Sequence, residues 1–319
     1  MMPAMNRCLL VAGLLLGAVA AHAASRVIAV RNPQPADIRA TVAAGLKALA
    51  GPRDEATAWR AFVSTNDVVG IKINTQAAPL LATHRAVVDA LVAGLCSAGV
   101  PSENIRVFDR DIEKMREAGF AGPRVSGVVW DPETFYESKL VGRLIWGDLL
   151  FRPNDEQIST RSHLPKLVTR TITKLINVPV LQSHDACGLC GSLYNVSVGM
   201  VDNTRRFEQY SQNGNPAIAE IAALPAVRRK LALNVMDALT AGYAGGPAFR
   251  PQYSWQPNTL YFSLDPVALD AVCLQLLETK RKEANVSPLG ERAAHVATAA
   301  QLGLGRNNTN QIEVVEVTP

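Results

Sequence analysis

The densest chemistry in the sequence lies in one short stretch, His184-Asp185-Ala186-Cys187-Gly188-Leu189-Cys190-Gly191. A Cys-x-x-Cys spacing supports three uses: two thiolates on one metal, a reversible disulfide, or a static staple. His184, three residues before Cys187, is close enough to be a third metal ligand or to stabilise a thiolate. Mixed thiolate and imidazole ligands suit zinc or copper better than magnesium or calcium. In a redox role, one of Cys187 and Cys190 attacks and the other resolves the mixed disulfide. A second Cys-x-x-Cys and a Cys-x-x-Cys-His are both absent, which excludes a zinc ribbon and covalent haem attachment. Cys96 and Cys273 fall in apolar helical stretches and read as small buried hydrophobes. An iron–sulfur cluster would have to draw on these scattered cysteines and is disfavoured.

A second constellation uses nitrogen and oxygen. Lys72 interrupts the apolar run VVGIKIN, and a lysine there is costly to bury unless it meets an anion or carboxylate. His84 follows Thr83 at a strand-to-helix turn, Asp109 and Asp111 end another strand, and Asp265 ends a third. Carboxylates and imidazoles converging on one sheet edge could bind a cation or transfer protons. Helix capping is the competing role for Thr83, Asp109 and Asp265. Three functions are thus on the table. The leading one is a metal-binding or thiol-redox protein centred on His184, Cys187 and Cys190. The alternative is a metal-independent enzyme using Lys72, His84 and carboxylates for proton transfer on a small acidic substrate. The third is a non-catalytic ligand-binding protein.

The elements that must position these groups alternate between strand and helix. RVIAV (26–30), VVGIKIN (68–74), IRVF (105–108), LINVPVL (175–181), a stretch near 231–236, LYFSL (260–264) and 311–317 read as strands. Helical spacing recurs over 35–49, from Thr83 to Gly99, from Pro266 to about Glu283, and over 287–303; a helix also begins within 188–200. A further strand is expected near 125–130. Pro179 cannot donate to a sheet ladder, so its strand should lie at an edge or end early. The pattern predicts an α/β fold: a mostly parallel sheet with helices on both faces, in one large domain. Residues 131–165 mix aromatics, charges and prolines and read as an irregular insertion or lid. Ligands of such sheets bind beyond the carboxyl ends of the strands. No phosphate-loop, dinucleotide or nucleophile-elbow motif is present.

With 48% hydrophobic residues, 19% charged and a net charge of +4 over 319 residues, the chain is a folded one without the basic excess of a nucleic-acid binder. The short basic clusters at 228–230 and 280–282 read as solvated faces. Arg7, the apolar run from Leu9 to Ala21 and Ala21-His22-Ala23 form a secretory signal pattern, with cleavage expected after Ala23. Export would leave residues 24–319 as a periplasmic or secreted domain with no integral membrane span. Its oxidising surroundings would favour cysteine pairing.

Five ordered blocks carry a resemblance: VVGIKIN; THRAVVDALVAGLCSAGVPSENIRVFDR; LINVPVLQSHDACGLCGSLYNVSVGMVDN; LDPVALDAV; and HVATAAQLGLG. Together, from about Val68 to Gly305, they resemble the domain of unknown function 362 family. The resemblance implies an α/β fold, and some members carry ferredoxin-type segments or export signals. Lys72, Asn74, Thr83, His84, Asp109, His184, Asn195, Asp265, Pro266, Asp270 and His295 fall at matching positions. Gln182 and Leu193-Tyr194-Asn195 depart from the family pattern, which usually has lysines there. Asn74, Asp109, Asn195, Asp265 and His295 are expected to contribute to ligand or cofactor binding; Lys72 and His84, together with Cys187 and Cys190 of the Cys-x-x-Cys stretch, are the candidate reactive groups.

Overall fold

The computed structural model describes residues 25–31, 37–51, 54–121, 162–204, 207 and 213–318. The signal segment, the strand expected near 125–130 and all but the last four residues of the 131–165 insertion lie outside them.

One sheet organises the described chain. Its strands are β1 Ser25–Arg31, β2 Val69–Ile73, β3 Ile105–Phe108, β4 Lys174–Val178, β5 Val180–His184, β6 Gly188–Cys190, β7 Leu231–Gly242, β8 Ser254–Trp255, β9 Thr259–Ser263 and β10 Ile312–Val317. The order is β10-β1-β9-β7-β4-β2-β3, with β5 and β8 also paired to β7, and β6 to β5. The half running β7-β4-β2-β3 is parallel throughout. β9 runs antiparallel between β7 and β1, so the sheet as a whole is mixed. β4 ends at Val178 and Pro179 breaks it from β5, yet β4 is an interior strand between β7 and β2. The proline is accommodated as a break, and its carbonyl accepts the amide of Asp237 at 2.8 Å.

The helices are α1 Ile38–Ala50, α2 Glu55–Arg60, α3 Arg85–Ser97, α4 Ile112–Glu117, α5 Ser192–Asn195, α6 Ala217–Ala223, α7 Pro225–Arg228, α8 Pro266–Glu283 and α9 His295–Gln301. Helical spacing decides which face each one buries. Ile38, Val42 and Leu46 of α1 and Val87, Leu91 and Leu95 of α3 pack with Ile71, Ile73, Ile176, Val235 and Phe262 on one side of the sheet. The opposite side carries α5, α6, α8 and α9. Cys96 is exposed, contrary to the sequence expectation: it falls outside the stripe of α3 that ends at Leu95. Cys273, by contrast, is buried under α8. Within the basic cluster on α8, Arg281 is buried and donates to the carbonyls of Tyr243 and Ser287, so that cluster is not wholly a solvated face.

β2 is buried at all five positions, which explains its nearly continuous apolar sequence. Four neighbouring interior strands each place a polar residue in one row. The register sets Lys72 opposite Asn177, Asn177 opposite Asn234, and Asn234 opposite Ser263. All four are buried, and they make a polar row across the sheet on the α5 and α8 side.

Candidate functional site

Just past the carboxyl ends of β2 and β3 lies a cleft of about 110 Å³. Lys72, Asp109 and Asn195 form its floor; Gln76, Arg110, Lys114 and Tyr194 stand around it. Lys72 is 1% exposed. Its ammonium donates to Asp109 Oδ1 at 2.7 Å, Asn195 Oδ1 at 2.9 Å and the carbonyl of Ile73 at 2.7 Å. Three acceptors match the three protons of an ammonium group. The other oxygen of Asp109 accepts the backbone amide and the hydroxyl of Thr75, both at 2.7 Å. Burial pushes the Lys72 ammonium below the usual lysine range, against the pull of Asp109; nearby Arg110 acts in the same direction as burial. Burial favours the neutral amine and the carboxylate favours the ion.

Behind the floor the polar row runs on into the sheet. Asn195 donates to Asn177 Oδ1 at 2.8 Å, and Asn177 donates to Asn234 Oδ1 at 2.9 Å and to the carbonyl of Ser192 at 3.0 Å. Asn234 in turn donates to the carbonyl of Ser263 at 3.3 Å. Asn195 and Tyr194 ride on α5, a four-residue helix whose amino end is held from α8. Asp270 accepts the amides of Ser192 at 2.6 Å and Leu193 at 2.9 Å. Burial raises the Asp270 carboxyl to about 7, although those two amides pull it down. Gly191 permits the approach, since a Cβ there would come within 2.3 Å of Asp270 Oδ1.

Asn74 and Asp109 therefore line the expected edge, Asn74 with its Oδ1 on the amide of Gln76 at 3.1 Å. Asp109 is not a helix cap: Asp111 caps α4 through the amides of Glu113 and Lys114. Thr83 does not cap α3 either. Its hydroxyl accepts the amide of Asn74 and donates to the carbonyl of Val178, pinning the 74–83 loop to β4. His84 takes the cap position, and the loop separates it from Lys72. It lines a different cavity of about 230 Å³ with Glu117 and Thr240. There, Asp237 accepts the His84 amide at 2.7 Å and lies 2.9 Å from Nδ1. That hydrogen bond raises the His84 pKa, against burial.

Asp265 caps α8 through the amides of Val267 and Ala268 and also accepts from Ser25 and Arg306; all these partners lie away from the cleft. His295 is fully buried, and its pKa is lowered to about 4 by burial and then by its neighbour His184. His184 Nδ1 accepts the amides of Ala186 and Cys187, both at 3.1 Å, and its ring lies 5.3 Å from that of Tyr194. Cys187 and Cys190 are buried thiols, not a disulfide, and neither lines the Lys72 cleft. A strand, β6, occupies the start of the stretch expected to be helical, so Cys187 and Cys190 stand on a tight turn and hairpin. Among the described residues no group of three or more His, Cys, Asp or Glu side chains is placed to hold a metal ion, and no helix is long and apolar enough to cross a membrane.

Sequence reasoning passed over Asn177, Asn234 and Asp237. Their signal was the one that drew attention to Lys72: a polar side chain inside an apolar strand.

No curated protein matches the chain. A crystal structure of a protein from Thermotoga maritima shares 11% identity with it, covering 80% of this chain with a TM-score of 0.43. The chain spans 60% of the length of that protein. Over residues 151–275, from before β4 into α8, the sequence matches the model of a domain of unknown function, DUF362, the family its motifs resemble.

Proposed function

We propose that this chain is an enzyme that binds a small acidic molecule at the Lys72 cleft and moves a proton there, with Lys72 and Asp109 as the exchanging pair. One observation carries the reading: a buried ammonium, held by a carboxylate and an amide, forms the floor of a cleft that Arg110, Asp111 and the Glu117-paired Lys114 also line. A buried ion pair gives little stability over an apolar pair of similar size, so its placement at a cavity favours a chemical role. Asp109 stays 2.7 Å from Nζ, within direct reach for proton transfer. A cleft of about 110 Å³ suits a small ligand. The signal pattern supports export of this activity across the inner membrane; fractionation of the expressed full chain tests that part.

The test is solvent exchange. The protein is incubated in deuterium oxide with small 2-oxo, 2-hydroxy and 2-amino acids, and NMR follows loss of the C–H signal at C3 of the oxo acids and at C2 of the hydroxy and amino acids. The expected result is exchange on one class, abolished in Lys72→Met and retained in Cys187→Ser/Cys190→Ser. Exchange that persists without Lys72 would sink the reading. Activity that instead vanishes with the thiols, together with zinc or copper retained through dialysis only by the wild type, would transfer the function to His184, Cys187 and Cys190.

A further inference from the structure

The Lys72 cleft combines features that proton transfer alone does not need. The base of the cleft is a primary amine, and the nearest acid is a carboxylate already placed to take its proton. Tyr194, within 3.4 Å of the Gln76 amide, adds a hydroxyl to the same wall. Arg110 also lines the cleft, a group of the kind that anchors a substrate carboxylate, beside Asp111 and Lys114, whose ammonium is paired with Glu117 at 2.6 Å. Resting on the reading above, we propose that Lys72 is a covalent centre that forms an iminium with the carbonyl carbon of a small 2-oxo acid.

The step balances without any added reagent. Asp109 takes one proton from the ammonium, and the neutral Nζ adds its lone pair to the carbonyl carbon. A C–N bond forms, the carbonyl π pair moves to oxygen, and that oxygen is protonated. The second N–H proton and the one held by Asp109 leave with the oxygen as water. Lysine ammonium and ketone become iminium and water, with no change in oxidation state and the positive charge kept on nitrogen. The same burial that lowers the Lys72 pKa increases the share of amine able to attack. The iminium would then acidify the neighbouring C–H bonds, giving the exchange described above its chemical cause. The cleft, about 110 Å³, suits short-chain 2-oxo acids.

Borohydride trapping decides the matter on the wild-type protein. It is mixed with pyruvate, glyoxylate or 2-oxobutyrate, reduced, and examined by intact mass and peptide mapping. The expected result is one adduct, on the peptide carrying Lys72. It should be missing with lactate, which has no carbonyl, and missing in Lys72→Arg. Modification spread over surface lysines, with Lys72 untouched, would overturn the proposal. If small acids exchange deuterium in a Lys72-dependent way but leave no trapped adduct, the covalent step is wrong and the proton-transfer reading survives. Absence of both exchange and adduct removes the two together.

Discussion

At His84 the Asp237 carboxylate receives a backbone amide and faces an imidazole nitrogen of the same residue, which fixes the ring and raises its pKa. A raised folded-state value means that the contribution is complete below the ordinary histidine value of 6.5 and fades as pH rises through the folded one. His84→Gln should therefore lower the melting temperature near pH 5.5 and have little effect near pH 9. Because the His84 side chain is 38% exposed, solvent screening holds the difference to about 1 kcal/mol or less. Lys72 behaves differently because it is enclosed. Lys72→Met strands the Asp109 charge and should cost about 3–5 kcal/mol in urea unfolding. Adding Asp109→Asn should recover part of that loss, so the double variant falls short of the sum of the singles. Strict additivity would mean that the two side chains do not interact.

At the scale of elements, the contact that sets the cleft is the one between α8 and α5. Asp270, held up at about 7 against an ordinary 3.8, carries more protons when folded than unfolded across that interval. Unfolding free energy should thus decline as pH rises from about 4 to 7, and Asp270→Asn should flatten the decline. The variant should also lose about 1–3 kcal/mol at low pH, because its amide cannot accept from both Ser192 and Leu193. A wild-type profile already flat over this range would contradict the placement. α8 itself was readable in advance: Asp265 precedes Pro266 and the apolar spacing runs on to Glu283, local signals that tertiary packing only confirms. For α5 only a helix beginning within 188–200 was readable; its bounds were not, since it is four residues long and held by a side chain 78 and 77 positions away. Thr83 misled for the same reason, since its hydroxyl serves a neighbouring strand in place of its own helix. Lys72 and Asp109 could be named from their strand ends, whereas their meeting with Asn195 depended on register that no local pattern encodes.

Across the whole molecule, the interior strands β2, β4, β7 and β9 are buried on both faces, while β10 lies at an edge with several exposed side chains. Hydrogen exchange followed by mass spectrometry should show the slowest amides in those four strands and much faster exchange in β10. Equal protection throughout would argue against an edge position for β10. The polar row that crosses those same strands has a further property. Its first member, the Lys72 ammonium, can only give hydrogen bonds, and its last, the Ser263 carbonyl, can only receive one. Asn195, Asn177 and Asn234 must all then point the same way, oxygen toward the lysine and nitrogen away from it. The sheet and α5 together thus hold a one-way line of three amide dipoles whose negative ends face the cation. Their polarity is dictated at both termini, and no single amide can turn over without breaking the line on either side of it.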